Sequence, residues 1–387
     1  MARATPPLLK NLNQRTVLEA IRAGAPISRA EISRRAGISK PTVSQALQSL
    51  VDAGLVREAE PDGAGPSYGA VFFEPVAEAA LVLGLDLHVR FVRGAVCDLR
   101  GEVRARQDVE LRERGAEAAL AAIDALVPAL VEATGVPASR IDGAVVGIPG
   151  AVDSATGRIS LATNVPGLEE RDFGAELAER LGLRVALEND INLAALGEQW
   201  LGVARGVEDF VFLSIGTGLG AGLVLRGELH RGRHGAAGEL DFVASGLGAE
   251  IDPCADAVAA FAAGLADGGT ATTLTPPYEA PAIFAAARGG DAVAQQTVDE
   301  LARRIALHVV PIAAVTDVDL VVLGGRLGAN GDLLLEPVRT RLDDWLPHPP
   351  RLAVSSLGET AVLTGALATG LQAALDNVFA NRGVTPV

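Results

Sequence analysis

Short polar side chains recur at helical spacing early in the chain. Lys40, Pro41, Thr42, Ser44, Gln45 and Gln48 share one side of a helix predicted over Lys40–Asp52, and Val43, Leu47 and Leu50 share the other. An ammonium, hydroxyls and amides near a helix N-terminus suit base edges and phosphates in a DNA major groove. The residues just before them set up that helix. Ser28 and Glu31 form a capping box for a first helix, Arg29–Ala36, which buries Ile32. Gly37 permits a left-handed turn, Ile38 fills the gap between the helices, and Ser39 caps the second one. Arg29, Arg34 and Arg35 are ordinary solvated charges taken singly, but their place beside the turn suits phosphate contact.

Flanking elements complete this head. Helical spacing begins near Asn13, with Val17, Leu18 and Ile21 on one face, and stops at Gly24-Ala25-Pro26. Gly54-Leu55-Val56 starts a strand, residues 61–69 read as a turn, and residues 70–73 read as a second strand, which makes a wing. Residues 1–75 are therefore expected to be a winged helix-turn-helix.

Charge supports the same reading. The 387-residue chain carries a net charge of −15, which by itself disfavours a nucleic-acid partner. Yet residues 1–57 hold nine Lys or Arg against three Asp or Glu, a net of +6, which leaves −21 for the remainder. A basic head on an acidic body would be oriented by the field of DNA. An apolar fraction of 49% allows a large core, and only two cysteines, Cys97 and Cys254, argue against a disulfide framework and fit a reducing compartment. No secretory signal is read at the N-terminus, and the longest uncharged apolar stretch, 210–225, is too short and too glycine-rich for a membrane span. A cytoplasmic protein with no membrane partner is expected.

From about residue 80 strands alternate with helices. Leu81–Leu87, 91–97 and 103–109 read as consecutive strands, followed by an amphipathic helix Ala116–Thr134 and a buried strand Ile141–Ile148 ending in Pro149-Gly150. Another strand, 184–187, meets Glu188-Asn189-Asp190, and a similar run begins again near Asp209. The repeat predicts two similar α/β lobes around a cleft, 76–195 and 196–387. Within the second, Gly216-Thr217-Gly218-Leu219-Gly220 fits a tight hairpin between buried strands.

The order of these segments resembles the ROK family (repressors, open reading frames and sugar kinases). The match rests on GIPGAVD at 147–153, NVPG at 164–167, ENDINLAALGE at 188–198, LSIGTGLGAGLVLRGEL at 213–229, GAAGEL at 235–240 and LVVLGGRLGANGDLLLEPVRTRL at 320–342. The head resembles the family's winged-helix domain, although its wing, Gly63-Ala64-Gly65-Pro66-Ser67, lacks the arginine many members carry there. The resemblance implies a two-lobed actin/hexokinase-like (ribonuclease H-like) α/β body, with the C-terminal helix returning to the first lobe.

It also assigns roles. Asp190 falls where the family places a catalytic base; a bare structural reading makes it a cap for a helix over 191–200. Asn164, Asn189, Asp190 and Glu239 together are expected to line a polyol pocket, since hydroxyls both donate and accept. Asn164 read simply is a turn residue and Glu239 a solvated charge. The resemblance makes Gly216, Gly218 and Gly220 the glycines of the family's second phosphate loop, but the first phosphate loop is altered. Asp86 aligns with its acidic residue, but His88 and Val89 stand at glycine positions and Arg90 at a threonine. The Gly-His that often follows Gly-Glu-Ile is Asp241-Phe242 here, and His230 and His234 restore no metal-ligand spacing. The expectation is a DNA-binding regulator, a repressor of carbohydrate metabolism, that needs no metal or cofactor and has no live catalytic residue beyond the degenerate Asp190. Its partners would be a double-stranded operator, a sugar-like effector and its own copies in a homodimer or homotetramer. The alternative is an ATP-dependent sugar kinase with an attached DNA-binding domain.

Overall fold

The computed structural model describes residues 6–60, 70–241 and 248–382. The head runs α1 (Pro6–Arg22), β1 (Ile27–Ser28), α2 (Arg29–Ala36), α3 (Lys40–Asp52), β2 (Val56–Ala59) and β3 (Phe72–Pro75), with a small antiparallel sheet ordered β1-β3-β2. Helix α1 begins seven residues before Asn13. The tip of the wing lies outside the described residues.

Gly37 takes φ 66° and ψ 21°, as the turn requires, and donates its N–H to Ser33. Only half of the capping box forms. The Ser28 hydroxyl accepts the Glu31 N–H at 3.3 Å, but the Glu31 carboxylate turns away to Arg34 and Arg35, accepting from their Nε atoms at 2.9 and 2.7 Å. Charge-assisted bonds to two guanidinium groups outcompete one backbone N–H.

Each lobe carries a five-stranded sheet of the same topology. The first uses β4 (Leu81–Leu87), β5 (Phe91–Asp98), β6 (Val103–Glu110), β7 (Ile141–Ile148) and β10 (Val185–Asn189), ordered β10-β7-β4-β5-β6. The second uses β11 (Phe210–Ile215), β12 (Leu219–Leu225), β13 (Glu228–Leu229), β14 (Leu320–Gly324) and β15 (Arg351–Val354), ordered β13-β12-β11-β14-β15. In both, a central strand pairs antiparallel to its successor and parallel to the strand that returns after a helix. This is the ribonuclease H-like duplication. A short ribbon, β8 (Ala151–Val152) with β9 (Ile159–Ser160), follows β7. Helices α4 (Ala116–Thr134) and α5 (Phe173–Leu181) cover the first sheet, and α7 (Ala255–Asp267), α8 (Ala280–Arg288), α9 (Ala292–Thr316), α10 (Gly325–Gly328) and α11 (Gly331–Trp345) serve the second.

Two helices fill the space between the sheets. α6 (Asp190–Leu201) lies on β11 and β12, and the C-terminal helix α12 (Ala361–Arg382) returns to lie on β4, β5 and β7. Glycines set how closely they approach. A Cβ on Gly220 or Gly222 would strike Ile191 of α6, one on Gly84 or Gly147 would strike Leu367 or Val362 of α12, and one on Gly365 would strike the Leu193 carbonyl where the helices cross. α6 also runs through the lobe boundary expected between residues 195 and 196.

The head shares its core with the body. Val17, Leu18, Ile21, Ile32, Leu47 and Phe73 belong to one buried cluster with Val82, Ala95, Leu363, Leu367, Leu371 and Leu375. An Arg15–Asp376 ion pair joins α1 to α12, and Glu74 of β3 pairs with both Arg57 of β2 and Arg100 of the body. No described helix is long and apolar enough to cross a membrane.

Candidate functional site

The end of β10 feeds straight into α6, because Asn189 closes the ladder opposite Ile148 and also caps the helix. Its Oδ1 accepts the Asn192 N–H at 2.9 Å and its Nδ2 donates to the Gly150 carbonyl at 3.0 Å. Asn189, expected as a ligand contact, therefore spends both ends of its amide on the fold. The cap expected at Asp190 sits one residue earlier, and Asp190 becomes the first helical residue.

That leaves the Asp190 carboxylate to the cleft. It is half-buried, and it accepts the neighbouring Ile191 N–H at 2.8 Å. Enclosure by protein, opposed by that N–H and reinforced by the Glu239 charge, pushes its pKa up to about 7. Glu239 is itself half-buried and raised by burial and by Asp241. Asp86, buried on β4, is raised to about 7 by burial, by Asp190 and by more distant acids, against the pull of Arg93 at 3.7 Å. Asp86 and Asp190, and Asp190 and Glu239, thus lie near enough for their charges to couple, and the coupling and burial favour their protonated forms. Such groups both donate to and accept from hydroxyls. Asn164 is exposed on the loop between β9 and α5, and no hydrogen bond joins it to the other three.

Two buried groups that the sequence did not single out, Glu188 and Asn192, flank Asp190 in the chain. Glu188 accepts Nδ2 of Asn192 at 2.9 Å and pairs with Arg231, which reaches across from the second lobe. The Oδ1 of Asn192 is buried without a partner among the described residues. An orphaned acceptor costs about 1–3 kcal/mol, which a donor hydroxyl would recover. Their only signal was position, at and just after the end of a buried strand.

The first phosphate loop is filled by side chains. His88 stacks on Phe91 with ring centres 4.4 Å apart, and the Arg93 guanidinium lies 3.9 Å from the Phe91 ring centre. Arg93 is then held by the Glu359 carboxylate at 2.7 Å and the Glu359 carbonyl at 2.8 Å, just before α12. Burial and the flanking Arg90 and Arg93 lower the His88 pKa, which keeps the ring neutral. The His88 N–H is spent on the Phe91 carbonyl at 2.9 Å and the Arg90 N–H on Nδ1 of His88 at 3.4 Å, so two donors that a nucleotide phosphate would use are taken. Residues present there do not fit that group.

Cys254 is buried at the start of α7 with its thiol pushed up by burial and Asp252. Phe242 lies outside the described residues, and His230 and His234 are exposed. Among the described residues no group of three His, Cys, Asp or Glu side chains is arranged for a metal ion.

In the head, Lys40, Pro41, Gln45 and Gln48 of α3 are exposed, with Thr42 and Ser44 partly so. Several carry internal bonds. The Ser39 hydroxyl accepts the Thr42 N–H at 3.5 Å, Ser44 donates to the Lys40 carbonyl at 3.0 Å, and Gln48 donates to Asp52 at 2.8 Å. Ser39 is thus a cap first. Arg29 lies 6.0 Å from the Phe73 ring centre, and Arg34 and Arg35 pair with Glu31 on the exposed side of α2.

Comparison with known proteins agrees with this architecture. The MarR family profile matches residues 11–65. A xylose repressor of Caldicellulosiruptor bescii is 26% identical over 93% of this chain and 96% of its own length. A glucokinase of Thermotoga maritima is 32% identical over 52% of this chain and 69% of its own. A solved ROK family transcriptional regulator, a homologue of the E. coli MLC protein, superposes with a TM-score of 0.80 at 22% identity, covering 97% of this chain and 99% of that one. The ROK family profile matches residues 82–372, three quarters of the molecule, and the chain belongs to the ROK family.

Proposed function

We propose that this chain is a DNA-binding transcription repressor whose body senses a sugar-class small molecule without phosphorylating it. The observation that carries the reading is the continuous core of head and body. The winged helix is packed through Leu371 and Leu375 onto α12, and α12 is packed at Gly365 onto the helix that starts with Asp190. A ligand bridging Asp190, Glu239 and Glu188 would draw the lobes together, shift the α6–α12 pair and so re-aim α3. In a homodimer or homotetramer, re-aiming two heads changes their fit to a two-fold operator. The stack of His88, Phe91 and Arg93 supports the loss of phosphoryl transfer. The xylose repressors among the relatives make a pentose the first effector to try. As a reader of chromosomal DNA, the protein would act in the cytoplasm.

The test is fluorescence anisotropy on DNA upstream of the protein's own gene, with and without a panel of sugars including xylose and glucose. The expected result is sequence-specific binding that one sugar weakens at least tenfold. No specific binding under any condition removes the reading. A second reading, an ATP-dependent sugar kinase, is favoured by the cleft carboxylate of Asp190 with its pKa near 7. Sugar-dependent ADP release, lost in Asp190→Ala, would establish it.

A further inference from the structure

The head meets the body around a cavity of about 540 Å³. Helix α1 lends it Arg22, β2 lends Arg57 and Glu58, β3 lends Glu74, and the turn between β5 and β6 lends Arg100 and Glu102. Its size suits a small molecule, but its lining is charged where most such pockets are apolar.

These charges do not satisfy one another. Glu74 is fully engaged, accepting Nε of Arg57 at 2.6 Å and Nη2 of Arg100 at 2.8 Å. Arg22 is not. Its guanidinium reaches the body, since a Cβ on Gly101 would come within 3.4 Å of its Nη2, yet no hydrogen bond or ion pair holds it among the described residues. Nε of Arg22 and Nε of Arg100 are both buried donors without an acceptor. Asp98, close by, is already taken by Nη1 of Arg104 at 3.2 Å and by the Arg100 and Glu102 N–H groups at 2.9 and 3.2 Å. Burial lowers the Arg22 pKa from its ordinary value, with Cys97, Glu19 and Asp98 opposing the shift. A guanidinium withdrawn from water without a partner is costly to the fold, and an oxyanion would relieve it.

The exposed part of the lining has the opposite need. Glu58 and Glu102 are exposed carboxylates with no ion pair among the described residues. A plain anion would be drawn to Arg22 and Arg100 but repelled by this rim, and a plain cation would meet the reverse. A molecule carrying both charges suits both parts.

We propose that the head–body cavity is a second small-molecule site, taking a zwitterion of the amino-acid class whose carboxylate lies on Arg22 and Arg100 and whose ammonium lies against Glu58 and Glu102. None of these residues belongs to the Asp190 cleft. A ligand here ties α1 and β2 of the head to the β5–β6 turn of the body, so its occupancy sets how firmly the head is held. The proposal goes beyond the regulator reading and does not depend on DNA binding.

Thermal unfolding of the full chain tests it, with each protein amino acid in turn at millimolar concentration and with succinate, inorganic phosphate and putrescine as singly signed probes. At least one amino acid is expected to raise the melting temperature saturably, and the three singly signed probes are not. Titration calorimetry with that amino acid should show at least tenfold weaker binding in Arg22→Met, and weaker binding in the double variant Glu58→Gln/Glu102→Gln. Stabilisation by no amino acid overturns the proposal, and so does an equal response to succinate or phosphate. Unchanged affinity in folded Arg22→Met overturns it as well. If that variant does not fold, unchanged affinity in the exposed double glutamine variant overturns it equally. Promoter binding by the same samples reports the regulator reading separately.

Discussion

Two cleft carboxylates with raised pKa values make a definite prediction about pH and stability. Asp86 and Asp190 are both raised from an ordinary 3.8 to about 7. A folded-state pKa above the unfolded value means the native protein holds more protons between those two values. Stability from each group is therefore fully present below about pH 4 and lost as pH climbs through 7. The slope is about 1.4 kcal/mol per pH unit for one proton, so moving from pH 5 to pH 8 costs roughly 2–3 kcal/mol per carboxyl. His88 and His308 act in the opposite sense. Burial lowers both pKa values, so they favour the native state more as pH rises through 6.5. Wild-type stability alone mixes the two effects. The difference between wild type and Asp86→Asn or Asp190→Asn cancels the histidines and leaves the replaced carboxyl together with its coupling to the other. Urea unfolding at pH 5, 6, 7 and 8 is expected to show each asparagine variant gaining on wild type as pH rises, by roughly 2–3 kcal/mol across the range. A pH-independent difference would refute the argument that these carboxyls are held neutral by the cleft.

Other perturbations follow from the packing. Gly365→Ala drives a methyl into the Leu193 carbonyl and should cost about 1–3 kcal/mol or more in thermal unfolding. Gly216→Ala, which points into open space, should stay within about 0.5 kcal/mol of wild type, and equal losses would contradict the distinction between the two glycines. Glu198, fully buried, accepts from Ser355, the Leu357 N–H at 3.2 Å and the Val203 N–H at 2.9 Å, so Glu198→Ala strands several donors. A loss of about 3 kcal/mol or more is expected in urea unfolding, with Glu198→Gln losing less. Lys40→Ala should lower the slope of log affinity against log salt by about 0.9, the contribution of one phosphate contact; an unchanged slope would remove Lys40 from the interface.

The sequence made legible those elements whose signals are local. Helix Ala116–Thr134 and strand Ile141–Ile148 have the ends their periodicity gives, and Gly37 is in the left-handed turn that its place between two helices demands. Start signals that compete were harder. Asn189 and Asp190 are both good caps, and the choice was made by how far β10 stays paired with β7. The start of α1 was hidden because apolar periodicity fades before residue 13, and β1 is two residues long. Which polar residues enter the cleft was least legible of all. Asn164 and Asn189 look alike in sequence, yet one is exposed on a loop and the other is used up holding Gly150. Nothing local distinguishes them, because the answer depends on chain segments far away.

The same holds for the contact that joins head to body. α1 and α12 lie more than 330 residues apart in sequence, and neither pattern announces that they share a core. If the head hung on a flexible linker, lobe closure would leave α3 free to sample every orientation, and an effector would have no differential affinity to exploit. Here the Asp190 helix touches α12 backbone to backbone at Gly365, and α12 carries Leu371 and Leu375 into the head. Interiors packed this closely do not absorb an ångström of displacement by compression. A shift of α6 must then be taken up by α12 and the head together, or by separation of the shared core. Only the first preserves the buried apolar surface, so it is the path of lower free energy.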